Sequence, residues 1–335
     1  MQRTRKQDKI TASVVRPALT EQEIAEAIAA SELLGASARA KVGAQQLIVF
    51  LAFDGTNNNK NKVPASELQT NIAQLYDQCD SQKPNLKRYY YAGVGTGGMT
   101  GGFAASATSP TPYVEATAQQ AYGQFLTEAR AWLAADASRS VADVGAAIAG
   151  FSRGAGTAIA FARLLNDNGL GPGTDGQPAG EAELPRVVAT LLLDPVFTCI
   201  ELDLDLPPNV SDNVVVVRAR DEFRFQFEAA DFGDDPRIRT IGFRGNHGNI
   251  GGCYDNGIGA LVLRGATTFF SDSGVTMQAI PKEREFDRGL DNTGDVVIYS
   301  EAVDSYGNRR WSEGRNFGAR LTAGVRNAPR GTTHG

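Results

Sequence analysis

Short apolar runs alternate with helical patterns through the middle of the chain. Six runs have the length of a strand, and most are apolar at nearly every position, which is typical of strands buried on both faces of a parallel sheet. These runs are Leu47–Phe53, Lys87–Ala92, Val144–Gly150, Val187–Leu193, Val214–Ala219 and Arg237–Phe243. Apolar residues at helical spacing predict helices over Thr20–Lys41, Leu68–Cys79, Val114–Ala135, Arg153–Leu165 and Asn256–Phe270. This order predicts an α/β fold with a mostly parallel sheet that is covered by helices on both faces.

The two ends of the chain do not continue this pattern. Residues 1–45 are predicted as an N-terminal helical extension, residues 46–275 as the α/β domain, and residues 276–335 as a polar C-terminal extension. Within that last part, the sequence VVIYSEAVDSYGNRRW favours a hairpin with its turn at Tyr306–Asn308, followed by a tail. We therefore expect the chemistry to lie in residues 46–275.

Composition and charge narrow the classes of function. With 42% hydrophobic and 21% charged residues, the 335-residue chain has the composition of an ordinary globular protein. Its formal net charge of −5 does not attract phosphate backbones, so no nucleic-acid partner is expected. No run of about 18 apolar residues occurs, so the sequence does not predict an integral membrane protein.

The cysteines and the first residues of the chain bear on its location. Three cysteines that lie far apart in sequence predict neither a zinc site nor a disulfide framework, which favours synthesis in a reducing cytoplasm. The basic N-terminus is not followed by a long apolar stretch, so we expect no cleavable signal peptide. Export would then use a secretion route that does not depend on a cleavable signal peptide.

The strongest chemical motif is G-F-S-R-G at residues 150–154, which lies between a predicted strand and a predicted helix. In this context a sharp turn exposes the hydroxyl of Ser152, and glycines at Gly150 and Gly154 leave room for the strained backbone. The helix that begins at Arg153 directs its amides at the same point, where an oxyanion would develop. Ser152 is therefore the candidate nucleophile, and a simple turn is the less favoured interpretation.

A serine nucleophile needs a base and an acid. The chain has two histidines, and His334 lies in the polar C-terminal tail, so His247 is the candidate base. Two carboxylates compete as the acid, because Asp194 and Asp221 each follow a predicted strand. Strand counting favours the later of the two, whereas some hydrolases use the earlier strand, and either side chain could instead cap a helix or pair with an arginine. The residues alone leave this choice open.

The oxyanion of an acyl intermediate needs two N–H donors. One is the amide of Arg153, and the other is expected from the loop after the first strand, at Gly55 or Thr56. Other interpretations of this loop are an Asx turn and, less favoured, a cation site that Asp54 and Asn57–Asn59 would form. The predicted chemistry needs no metal and no cofactor.

A glycine-rich motif after the second strand satisfies the pattern of a dinucleotide-binding loop. Residues 93–98 are G-V-G-T-G-G, but no helical pattern follows at the point where a phosphate-binding helix would begin. The favoured interpretation is a mobile flap over residues 93–112 beside the active site, and a nucleotide site is the disfavoured one.

Six sequence blocks together resemble a known family, the type VI secretion phospholipase effectors and the wider group of α/β-hydrolases that share their catalytic domain. The blocks are F-D-G-T-N at 53–57, Y-A-G-V-G-T-G at 91–97, G-F-S-R-G-A at 150–155, L-D-P-V at 193–196, A-R-D-E-F-R at 219–224 and H-G-N-I-G-G at 247–252. In order and spacing they cover residues 46–272. The resemblance implies an α/β-hydrolase-like fold.

The resemblance also implies a role for each candidate residue. The matching positions make Ser152 the nucleophile, Asp194 the acid and His247 the base, which favours this acid over Asp221. Asp221 then belongs to a block that we expect to brace the site.

The chain departs from the family pattern at two positions. Pro195 follows the acid where the family commonly has threonine, and Asn249 stands two residues after the histidine where the family commonly has aspartate. Both changes leave the atoms of the triad in place, and they bear on loop geometry and substrate preference.

These observations predict a serine carboxylic-ester hydrolase. The resemblance implies a phospholipase that cleaves acyl esters of membrane glycerophospholipids, delivered by type VI secretion to a target-cell membrane. It also implies a secretion-apparatus, adaptor or immunity protein as partner. Two alternatives are an esterase for substrates other than lipids, and a catalytically silent binding or adaptor protein on a hydrolase scaffold.

Overall fold

A computed structural model gives the fold of the α/β region and of parts of both extensions. The residues that it describes are 20–39, 41, 46–65, 67–96, 109–171, 184–211, 213–220, 222, 227, 229–253, 257–286 and 311–313. The predicted hairpin turn at Tyr306–Asn308, residues 97–108 of the predicted flap, and Asp221 lie outside these residues.

Six parallel strands form the central sheet. The strands of the described residues are β1 (Leu47–Phe53), β2 (Leu86–Tyr91), β3 (Val144–Phe151), β4 (Arg186–Leu193), β5 (Val214–Ala219), β6 (Ala229–Asp231), β7 (Ile238–Phe243) and β8 (Trp311–Glu313). The order across the sheet is β2-β1-β3-β4-β5-β7, and every neighbouring pair is parallel. Strands β6 and β8 pair separately. Every run predicted as a strand belongs to the central sheet, with ends that differ by no more than one residue.

Helices cover both faces of this sheet. They are α1 (Glu21–Gly35), α2 (Asn71–Gln78), α3 (Thr111–Ala134), α4 (Arg153–Asn168), α5 (His247–Gly251) and α6 (Ile258–Asp272). Successive residues of β1 point to opposite faces of the sheet and belong to two different core clusters. Phe50 lies in the cluster that includes residues of α1, α2 and α6, whereas Val49 lies in the cluster that includes residues of α3 and α4. The predicted α/β fold class, with a parallel sheet that is covered by helices on both faces, is confirmed. Among the described residues, no helix has the length and apolar character that crossing a membrane requires.

Helix α1 packs directly on the α/β domain, although the sequence placed it in an extension. Thr20 caps the helix, since its hydroxyl accepts from the N–H of Glu23 and the Glu23 carboxylate accepts from the N–H of Thr20. The hydroxyl of Ser31 donates to the carbonyl of Leu261 in α6 at 2.7 Å. A Cβ atom at Gly265 would lie 2.6 Å from the Ser31 carbonyl oxygen, so glycine permits the close approach of the two helices.

The candidate site residues follow strands at one edge of the sheet. Asp54 comes directly after β1, Ser152 after β3, Asp194 after β4, and His247 four residues after β7 ends at Phe243. Because these strands are parallel, their carboxyl ends lie at the same edge, where open α/β sheets hold their ligands.

Candidate active site

The turn between β3 and α4 holds Ser152 in a strained backbone conformation. Its φ of 57° and ψ of −127° lie in a region that residues with a side chain rarely adopt. The N–H of Ser152 donates to the carbonyl of Leu193 at 3.0 Å, which ties the turn to the end of β4. The helix begins at the next residue. This is the sharp strand-to-helix turn that the G-F-S-R-G motif predicts.

The two glycines of the motif permit close backbone contacts. A Cβ atom at Gly150 would lie 2.6 Å from the Cα atom of Ala155, and one at Gly154 would lie 2.3 Å from the carbonyl oxygen of Phe53. A side chain at either position would therefore meet backbone that cannot move aside. The contact at Gly154 joins the turn to the end of β1, which is also where the predicted oxyanion loop begins.

Asp194 lies between the ends of β4 and β5 and contacts the candidate base. Its Oδ2 atom lies 2.8 Å from Nδ1 of His247, and its Oδ1 atom accepts from the N–H of Ala219 at 2.9 Å. Asp194 is fully buried and has a positive φ of 38°. Of the two carboxylates considered from the sequence, Asp194 therefore reaches His247, whereas Asp221 lies outside the described residues.

Two aromatic rings pack against the imidazole of His247. The ring of Phe151 stacks on the imidazole with ring centroids 4.5 Å apart. The ring of Phe227 packs against it in a T-shaped arrangement with centroids 4.7 Å apart. Neither phenylalanine was predicted to be part of the site, although Phe151 belongs to the G-F-S-R-G motif. These contacts restrict the rotation of the ring.

His247 is the first residue of the short helix α5, rather than part of a loop. Asn246 and Asn249 cap this helix reciprocally, because each side-chain oxygen accepts from the main-chain N–H of the other residue, at 3.1 and 3.0 Å. The departure at Asn249 therefore has a structural use in this chain. An amide oxygen accepts the same hydrogen bond that an aspartate would, and it does so without a charge beside the imidazole.

A buried carboxylate fixes the loop after β1. Asp54 accepts from the N–H of Gly55 at 2.8 Å, from the hydroxyl of Thr70 at 2.7 Å and from the hydroxyl of Tyr90 at 2.6 Å. Burial is the largest effect on this group and raises its pKa to about 6, against the opposing effect of the three donors. No sequence pattern predicted this network. Among the described residues, no group of three or more His, Cys, Asp or Glu side chains is placed to hold a metal ion.

The two candidate oxyanion donors of this loop differ in availability. The N–H of Gly55 is directed to the Asp54 carboxylate, whereas the N–H of Thr56 donates to no described residue. The side chain of Arg153 links this loop to the segment after β4, since it donates to the Thr56 hydroxyl and to the Thr198 carbonyl, each at 3.2 Å. Burial lowers the pKa of this guanidinium. Gly55 is therefore a poor donor for an oxyanion, because its hydrogen is already used.

The glycine-rich segment after β2 packs against the same loop. A Cβ atom at Gly93 would lie 1.6 Å from the carbonyl oxygen of Gly55, so no other residue fits there without displacing the backbone. The N–H of Gly93 also donates to the carbonyl of Asn58 at 2.8 Å. The first glycine of the dinucleotide-like motif, Gly93, therefore permits a close contact with the loop that follows β1.

Comparison with protein families gives a match over part of the chain. Residues 45–188 match the family described as the T6SS phospholipase effector Tle1-like catalytic domain. The predicted resemblance is confirmed. The matched segment contains the Asp54–Thr56 loop and the turn at Ser152, whereas Asp194 and His247 lie beyond its end. No match was found among curated proteins.

Several solved structures are similar to the chain. A crystal structure of an uncharacterized protein from Pseudomonas aeruginosa is 16% identical with a TM-score of 0.49, and the alignment covers 87% of this chain and 54% of that one. The Tle1 effector bound to the VgrG spike of the type VI secretion system is 20% identical with a TM-score of 0.42, covering 65% and 52%. A cutinase-like protein from Cryptococcus sp. is 12% identical with a TM-score of 0.31, covering 72% and 100%. The chain spans about half the length of the first two.

Proposed function

We propose that the protein is a serine carboxylic-ester hydrolase with Ser152 as nucleophile, His247 as base and Asp194 as acid. The observation that carries the proposal is the 2.8 Å contact between Asp194 and Nδ1 of His247 at the same sheet edge as the strained turn at Ser152. A carboxylate on Nδ1 fixes the tautomer in which Nε2 can accept a proton, which a serine nucleophile requires.

The reaction proceeds by acyl transfer. The Ser152 oxygen attacks the ester carbonyl while His247 takes its proton, and the tetrahedral intermediate then expels the alcohol, which receives that proton from the imidazolium. Water, activated by the same imidazole, hydrolyses the acyl-enzyme and restores the serine. Asp194 stays ionised and stabilises the imidazolium through both steps.

The oxyanion is bound by the main-chain amides of Arg153 and Thr56. Arg153 is the first residue of α4, so its amide and the positive end of the helix dipole point toward Ser152. Thr56 is preferred over Gly55 as the second donor because the N–H of Gly55 is held by Asp54. The contact between Arg153 and the Thr56 hydroxyl keeps the two donors in one arrangement.

The substrate class that we propose is the acyl ester of membrane glycerophospholipids. Support comes from the description of the matched family as phospholipase effectors. Type VI delivery is proposed on the same ground, and the Tle1 effector bound to a VgrG spike suggests a component of the secretion apparatus as partner.

Replacement of the proposed residues tests the mechanism. Ser152→Ala and His247→Ala should each lower kcat/KM on a soluble ester by roughly three to six orders of magnitude, and the double variant should lose little more. Asp194→Asn should fold and lose rate, whereas Asp221→Asn should lose stability if that residue braces the site. A folded S152A variant that keeps most of its activity would end the proposal.

Covalent labelling separates the competing functions. A fluorophosphonate probe should label Ser152 in the folded wild-type protein and leave S152A unlabelled. Labelling with turnover of phosphatidylethanolamine–phosphatidylglycerol vesicles supports the phospholipase, and labelling with turnover of soluble short esters alone indicates a general esterase. Absence of labelling in folded protein indicates a binding or adaptor protein on this scaffold.

A further inference from the structure

Glu222 is a buried carboxylate that the proposed mechanism does not use. Its side chain is only 1% exposed, and Oε2 accepts from the main-chain N–H of His247 at 3.1 Å. The two residues are 25 positions apart in the chain, and His247 is 5% exposed. A hydrogen bond in such buried surroundings is stronger than one that is exposed to water.

The chain segment that carries Glu222 also contacts the proposed acid. The N–H of Ala219, the last residue of β5, donates to Oδ1 of Asp194 at 2.9 Å, while Oδ2 of the same carboxylate contacts His247. Three residues beyond Ala219, Glu222 holds the backbone of His247. The end of β5 therefore contacts both members of the Asp194–His247 pair.

Helix α5 needs such a contact because it is only five residues long. A helix of this length has little stability of its own, and its first amides have no partners within the helix. A carboxylate on the first N–H satisfies one of these amides and is stabilised by the positive end of the helix.

We propose that Glu222 is a positioning residue that holds the backbone of His247 so that Nδ1 stays against Asp194. The inference rests on the proposed serine-hydrolase function. The contact is with the main-chain nitrogen of His247, so the role that we assign to Glu222 is to hold the backbone and not to transfer a proton. Its effect is geometric, and a displacement of about 1 Å at a reacting group is enough to lower a rate by roughly 100-fold.

Three replacements of Glu222 distinguish positioning from general support of the fold. Glu222→Gln keeps an oxygen acceptor at the same reach, Glu222→Asp shortens the side chain by one methylene, and Glu222→Met keeps its length but removes the acceptor. Glu32→Gln and Glu32→Met, at an exposed position of α1, are the matched controls. The substrate is p-nitrophenyl butyrate, and kcat and KM are measured separately.

We expect E222M to lower kcat by roughly 10- to 100-fold with KM changed less than about threefold, because the base is displaced while ester binding is kept. E222Q should restore kcat to within about threefold of wild type, and E222D should fall between the two. Both Glu32 variants should match wild type. If E222M does not fold, the comparison of E222D with E222Q gives the same test.

A spectroscopic measurement tests the contact without using activity. The chain has two histidines, so a His334→Asn background leaves His247 as the one imidazole in the spectrum. The proton on Nδ1, bonded to Asp194, should give a low-field resonance in the parent and in E222Q, and this signal should weaken or vanish in E222M and E222D.

Two outcomes would overturn the inference: wild-type kcat in folded E222M or E222D, or an unchanged low-field resonance in either. Failure of the proposed function is a different result. It would be a wild-type protein with neither ester turnover nor labelling of Ser152, and the resonance would still report whether Glu222 positions His247.

Discussion

The imidazole of His247 stacks on the ring of Phe151, with centroids 4.5 Å apart and planes 29° apart. Phe151 is the last residue of β3 and directly precedes Ser152, so the strand that carries the candidate nucleophile also supports the candidate base. The Phe151 ring also fills the space beside two glycines. A Cβ atom at Gly55 would lie 2.6 Å from this ring, and a Cβ atom at Gly251 would lie 2.3 Å from it. One side chain thus sets the spacing between β3, the loop after β1 and helix α5.

Phe151→Leu should lower kcat more than a loss of stability alone explains. Without the ring the imidazole is less constrained, and we expect a decrease of roughly tenfold. The control is Phe125→Leu, a fully buried phenylalanine that packs between α3 and α4 on the other face of the sheet. Both variants should lose about 1–3 kcal/mol of unfolding free energy. Equal losses of kcat in the two variants would argue against a role for Phe151 at the site.

Gly154→Ala should destabilise the fold by roughly 3 kcal/mol or more, because the added methyl group meets the backbone of β1. Gly123→Ala is the matched control. This glycine lies within α3, a Cβ atom there meets nothing within 4 Å, and alanine should stabilise the helix by about 1 kcal/mol. Denaturant unfolding of both variants measures the difference. Similar midpoints would contradict the close contact between the Ser152 turn and β1.

The pKa of Asp54 predicts how its contribution to stability varies with pH. Because burial raises this pKa from 3.8 to about 6, the unfolded chain ionises first as the pH rises, and wild-type stability should fall between these two values. Asp54→Asn does not titrate there. The unfolding free energy of D54N minus that of wild type should therefore increase by about 2 kcal/mol from pH 4 to pH 6.5. A difference that stays constant over this range would show that the pKa is not raised.

The hydrogen bond between Arg153 and Thr56 should support the oxyanion donors. Arg153→Met and Thr56→Val each remove one partner, and each should lower kcat by roughly tenfold because the loop after β1 is no longer held against the Ser152 turn. The double variant should be no slower than the slower single variant, with a coupling free energy of about 1 kcal/mol. Strictly additive losses would show that the two side chains act separately.

Much of the fold was predictable from local pattern. The four inner strands of the sheet, β1, β3, β4 and β5, appear as apolar runs because a parallel strand that is buried on both faces excludes polar residues from most of its positions. The turn at Ser152 was predictable for a similar reason, since G-F-S-R-G between a strand and a helix permits few backbone paths. In contrast, the helix at His247 was missed, because five residues that include two glycines give no helical periodicity.

The site was predictable only as a set of candidates. Sequence order placed Ser152, Asp194 and His247 at strand ends, and the resemblance to a family favoured Asp194 as the acid. The contacts of Glu222, Phe151 and Phe227 with His247 were not predicted, although Glu222 belongs to a block that was expected to brace the site. The choice between Gly55 and Thr56 depended on a side chain, Asp54, whose partners Thr70 and Tyr90 are distant in sequence.

The parallel sheet, the strained turn and the types of residue that follow each strand are encoded locally, because apolar runs, glycines and strand-to-helix order act over a few neighbouring positions. The contact of Asp194 with Nδ1 of His247, the hold of Glu222 on its backbone and the bond of Tyr90 to Asp54 became known from the folded chain. Hydrogen bonds extend about 3 Å, and these three join residues tens of positions apart, so they depend on the packing of whole strands and not on local spacing.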